Sequence, residues 1–93
     1  TPVVLHDRLS TREAAGGEED AWVFAARPRG VTGENIFWLD PRGDLRGAAR
    51  RLFALLRRLD AAGHARIHLE KIPGRAGLAE ALNDRMARAA ARG

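Results

Sequence analysis

The stretch that decides the fold is HLEKIPGRAGLAEALNDRM, His68 to Met86. Its first residues complete "ARIHLE", Ala65 to Glu70, where Ala65, Ile67 and Leu69 alternate with Arg66, His68 and Glu70. That period of two predicts a strand with one wetter face, near a sheet edge. Pro73, Gly74 and Gly77 then punctuate a loop, and Leu78 to Arg92 reads as a helix. A strand, a tight loop and a helix form the building unit of an α/β domain, whose ligands gather at such corners.

The polar set Glu70, Asn83, Asp84 and Arg85 surrounds this loop. At about 100° per residue, Leu78, Ala81, Leu82, Met86 and Ala89 line one side of the helix, and Arg85 falls among them. A guanidinium on a buried face needs a carboxylate or several carbonyls. The expectation is a partly buried Arg85 paired with Glu70 or a backbone acceptor. Such a pair holds a fold more often than it touches a ligand. The backbone amides around Gly74 and Gly77 are a candidate cradle for a phosphate or carboxylate, as in a stand-alone nucleotide- or anion-binding domain. However, "GRAG" lacks the Lys-Ser/Thr of a phosphate-binding loop, and no G-x-G-x-x-G is present. A tight strand-to-helix turn also explains both glycines.

Upstream, Val3-Val4-Leu5 reads as a short strand, and Leu9 to Ala15 as a short helix with Ser10 or Thr11 as its N-cap. Glu18-Glu19-Asp20 is expected to be a solvated acidic turn. "AWVFAA", Ala21 to Ala26, is continuously apolar, as a central strand covered on both faces should be. Arg27 to Glu34 is a loop, and "IFWL", Ile36 to Leu39, a further strand. That loop is short for a parallel crossover, so one antiparallel pair is allowed. Asp44 then caps the longest helix. Leu45, Ala48, Ala49, Leu52, Leu55, Leu56, Leu59 and Ala62 form its apolar stripe, and Gly63 follows as the C′ residue. The fold class is α/β: a small sandwich around a mostly parallel sheet of about four strands, with two to three helices.

Composition narrows the function. The chain of 93 residues makes one domain with a modest core, 1–93. It has no cysteine, which excludes disulfides, thiolate metal sites and thiol catalysis, and fits a cytoplasmic protein. No apolar run approaches the ~18 residues of a membrane span, and the start lacks a leader's basic and apolar regions. His6, His64 and His68 lack a metal-like spacing, and Ser10 has no triad partners, so no metal ligand or catalytic residue is assigned. Trp22, Phe24, Phe37 and Trp38 lie in strands and read as core rather than as a base-stacking platform, with Trp38 the one that alternation could expose. The net charge of +4 suits an acidic partner such as RNA. Candidate RNA contacts are Arg46, Arg50 and Arg57 on the polar face of the long helix, with Arg88 and Arg92 near the C-terminus. Equally, a chain rich in Ala, Gly and Arg, with Lys71 its only lysine, reflects a coding bias.

Ala48 to Ala90 resembles the C-terminal accessory domain of the long form of threonylcarbamoyl-AMP synthase. The resemblance rests on Ala49, Leu52, Phe53, Leu56, Arg57, Asp60, Gly63, Ile67, Glu70, Pro73, Gly77, Leu78, Ala81, Asp84 and Arg85. The chain departs from the family pattern at Ala79, usually glycine, and at Leu82, commonly isoleucine. It also departs in a shortened segment between the second and third strands. The resemblance implies a Rossmann-like accessory domain with no catalytic residue or cofactor of its own. It also implies a longer polypeptide, with a YrdC-like catalytic domain and a linker as partners. A chain that begins at Thr1 fits that expectation. The catalytic domain would bind ATP and a divalent metal, and would make threonylcarbamoyl-AMP from threonine, bicarbonate and ATP. The product serves tRNA modification, so tRNA is only an indirect partner and a membrane is none.

Overall fold

A computed structural model describes residues 1–74 and 77–92, Arg92 by its backbone alone. The elements are β1 (Val3–His6), α1 (Thr11–Gly16), β2 (Ala21–Ala26), β3 (Ile36–Asp40), α2 (Leu45–Ala62), β4 (Ile67–Glu70) and α3 (Gly77–Arg92). The four strands form one sheet in the order β1-β4-β2-β3, and every neighbouring pair is parallel. This is the α/β sandwich that the alternation of strand and helix signals requires. No helix among the described residues is long and apolar enough to cross a membrane.

Alternation along β2 divides the core. Val23 and Ala25 face Leu52, Leu55, Leu59, Leu82 and Met86 of α2 and α3. Trp22 and Phe24 face the other way, toward Leu9, Ala14 of α1, and Val31. Both faces of β2 are therefore dry, and its apolar run is the consequence. The short β2–β3 connection does not turn the chain back. β2 and β3 pair in parallel, Trp22 with Ile36 and Phe24 with Trp38. The crossover manages without a helix because Val31, buried against the α1 face, anchors it.

The long helix forms as its sequence dictates. Asp44 accepts the Gly47 amide at 3.3 Å, and Gly63 ends the helix in the left-handed region at φ 77°. Leu52, Leu55 and Leu59 are buried, each contributing roughly 1.5–3 kcal/mol relative to exposure. Ala62, expected on this stripe, is exposed.

Two expectations are corrected. β4 is not near an edge: it lies between β1 and β2, and His68 is only 7% exposed. Its polar side is buried because His68 and Glu70 find partners inside the protein. The buried side of α3 is also rotated. Ala79, Leu82 and Met86 are buried, whereas Leu78 is 39% exposed and Ala81 is exposed. Ala79 packs with no exposed surface, and Asn83 is tied to the loop before the helix. Together they turn the face that holds Arg85 outward.

Candidate functional site

Parallel strands all end on the same side, so the loops after β1, β2, β3 and β4 meet at one edge of the sheet. Glu70, the last residue of β4, sits at its centre. Its carboxylate takes the Leu9 N–H at 2.8 Å and the Ala25 N–H at 2.9 Å, one on each oxygen. Leu9 follows β1 and Ala25 lies in β2, the two strands that flank β4. One side chain therefore ties the ends of three strands together. Charge-assisted bonds of this kind are among the stronger ones in a protein.

Arg85 is not the partner of Glu70. It is exposed on α3 and lies over the Phe53 ring of α2, 5.0 Å from the ring centre. The reason is the rotation of α3, together with the stronger claim of two amides on the Glu70 carboxylate. Asp84 pairs with Arg88 one turn on, at 3.0 Å, with both side chains mostly exposed; surface pairs of this kind contribute little stability. Gly74 adopts φ 104°, which favours glycine, and Gly77 opens α3. Residues 75 and 76, the middle of the candidate anion loop, lie outside the described residues. The link that fixes this corner is Asn83. Its side chain accepts the Ile72 N–H at 2.8 Å and donates to the Ile72 carbonyl at 2.9 Å.

A cleft of about 500 Å³ opens beside Glu70. Leu9, Phe24, Ile72 and Pro73 supply apolar walls, and Arg8, Arg42 and Lys71 reach its rim. Lys71 pairs with Asp7 at 3.0 Å.

A second polar cluster lies on the α1 face. Asp20 Oδ2 is 2.8 Å from His68 Nε2, and His68 Nδ1 is 2.8 Å from His6 Nε2. A carboxylate only accepts, so His68 Nε2–H donates to Asp20, and a single proton bridges His68 Nδ1 and His6 Nε2, on the nitrogen that the tautomer selects. The Trp22 ring stacks on His68 at 3.8 Å, nearly parallel, and its N–H donates to the Gly17 carbonyl at 2.9 Å. Burial pushes the His6 pKa down, helped by His68 and opposed by Glu13. Asp20 is thus a half-buried acceptor rather than part of a solvated turn. Histidines 62 positions apart give no local signal. The available hint was His68 itself, placed between Ile67 and Leu69. His64 stands apart, edge-on to Phe37. Ser10 caps α1 through the Glu13 amide.

The candidate RNA contacts Arg46, Arg50, Arg57 and Arg88 are all exposed. The Arg92 side chain lies outside the described part of the structure. Of the four aromatic residues in the strands, Trp22 and Phe24 are core, while Phe37 and Trp38 are half-buried.

Residues 1–91 match a family model described as threonylcarbamoyl-AMP synthase, C-terminal domain. The chain belongs to this family. Comparisons with curated proteins and with solved structures returned no match. The threonylcarbamoyl-AMP synthase C-terminal domain thus takes here the form of a four-stranded parallel sheet with three helices. Of the residues that carry the resemblance, Glu70, Pro73 and Gly77 lie at the β4–α3 corner, while Asp84 and Arg85 are exposed further along α3.

Proposed function

We propose that this domain is a non-catalytic accessory part of a threonylcarbamoyl-AMP synthase. It docks on a YrdC-like catalytic domain and positions the linker that closes over that domain's nucleotide site. Threonine, bicarbonate, ATP and a divalent metal belong to the catalytic domain. tRNA is served only through the product, in the cytoplasm.

The observation that carries this reading is the family match over residues 1–91. The charged groups among the residues that carry the resemblance support it. Glu70 holds two backbone amides, Asp84 an arginine on its own helix, and Arg85 an aromatic ring. A carboxylate with a backbone amide on each oxygen is positioned as a joint between strands, not as a proton carrier.

The test is to supply the 93-residue chain with threonine, bicarbonate, ATP and magnesium, and to follow pyrophosphate release and threonylcarbamoyl-AMP. The expected result is no formation above the uncatalysed level. Turnover by this chain alone would overturn the reading.

A further inference from the structure

We propose that the cleft at the carboxyl ends of the strands is a binding site for a nucleoside monophosphate. The proposal goes beyond the accessory reading and does not depend on it.

Topology makes the first argument. β1 and β4 are adjacent and parallel, yet the chain leaves them toward opposite faces of the sheet. β1 leads to α1, which packs with Trp22 and Phe24. β4 leads to α3, which packs with Val23 and Ala25. Neighbouring strands whose connections diverge leave a crevice outside their carboxyl ends, and open α/β sheets bind ligands there. The cleft sits at that divergence, with Arg8 and Leu9 on one lip and Lys71, Ile72 and Pro73 on the other.

Size and chemistry narrow the ligand. About 500 Å³ falls within the range of small-molecule sites. A single amino acid would leave much of it empty, and a nucleoside monophosphate fits within it. The walls are apolar, as a base or sugar ring needs. Arg8 is exposed and makes no ion pair among the described residues. Lys71 is neutralised by Asp7, which also lines the cleft, so among the described residues Arg8 is the cation left without an ion pair at the β1–β4 end, and its guanidinium suits a phosphate taken bidentately. Arg42, at the other end, lies near Asp40, which partly offsets its charge. A guanidinium in that setting suits the face of a base. Between the two ends, each Glu70 oxygen holds one amide and keeps a further lone pair. Ribose hydroxyls are donors of the right kind to meet them.

The test is an amide chemical-shift titration of the 93-residue chain with AMP, and separately with adenosine and with inorganic phosphate. AMP should give saturable shifts centred on Leu9, Ala25, Gly43 and Lys71. It should bind more tightly than either fragment. Arg8→Gln should weaken AMP about tenfold, the loss of one charged contact, while leaving adenosine binding and thermal unfolding unchanged. Arg42→Gln should weaken adenosine and AMP alike. The proposal is overturned if AMP shifts do not saturate by millimolar concentrations, or if they map outside the cleft. It is also overturned if phosphate alone reproduces the AMP shifts with equal affinity, or if Arg8→Gln binds AMP as the parent does.

Discussion

Replacing Glu70 tests the idea that one carboxylate joins three strands. Glu70→Ala leaves the amides of Leu9 and Ala25 without their acceptor. Glu70→Gln keeps one oxygen but presents an NH2 group to the other amide, so one bond is lost and two donors face each other. A hydrogen bond to a charged group contributes roughly 1.5–3 kcal/mol. Glu70 is half-buried beside an open cleft, so water moderates the loss and the lower bound is the appropriate one. The expectation is about 1.5 kcal/mol for Gln and about 3 kcal/mol for Ala. In a domain of this size each kcal/mol moves the unfolding midpoint by ~4–8 °C. Gln should therefore lower the midpoint by roughly 6–12 °C, and Ala by about twice that. Urea and thermal unfolding followed by circular dichroism would measure both variants, with Glu80→Gln on the exposed side of α3 as the control. Hydrogen exchange should show lost protection at Leu9 and Ala25. If both Glu70 variants fall within about 0.5 kcal/mol of the parent, as ordinary surface changes do, the joint is not what the geometry implies.

Three further outcomes follow from particular contacts. A Cβ at Gly47 would come within 2.9 Å of Asp40 Cγ, and Asp40 holds the Arg42 and Asp44 amides, which depress its pKa. Gly47→Ala should therefore destabilise by about 1–3 kcal/mol despite its better helix propensity; a net gain in denaturant midpoint would contradict this. The pKa of His6 is lowered in the folded protein, so the unfolded chain binds more protons as the pH drops below 6.5. Stability from this group is complete above that value and is lost as pH falls toward the lowered folded pKa. His6→Phe should flatten that part of the stability–pH curve, and an unchanged slope would remove the assignment. Asn83→Ala strips the partners from both the N–H and the carbonyl of Ile72 and should cost roughly 1–3 kcal/mol. Asn83→Asp, which keeps the acceptor, should lose less, and equal losses from the two would show that the Ile72 amide bond is not the one that counts.

The sequence made some elements plain because their signals are local. α2 repeats its leucines every three or four residues between Asp44 and Gly63, and β2 is apolar without a break. β4 was harder to read. His68 and Glu70 look like a wet face, yet their partners are Asp20, His6 and the amides of Leu9 and Ala25, all far away in the chain. A polar residue satisfied over long range has the same sequence signature as one satisfied by water. The buried side of α3 was hidden by its alanines, which fit any face and leave the helical wheel without contrast. Asn83 and Ala79 set the rotation, and neither has an apolar bulk that periodicity can register. At the site, Glu70 stood out as the charged end of a strand. Its partners did not, because backbone amides carry no residue identity.

The central claim is that this domain assists catalysis without performing it. The most direct test compares a YrdC-like catalytic domain and linker of the family with and without this chain joined behind them, both purified and folded. The measurement is the rate of threonylcarbamoyl-AMP formation across threonine and ATP concentrations. The account predicts that removing the domain lowers kcat/KM, and that the domain alone forms none. Equal kcat and KM with and without it would contradict the account.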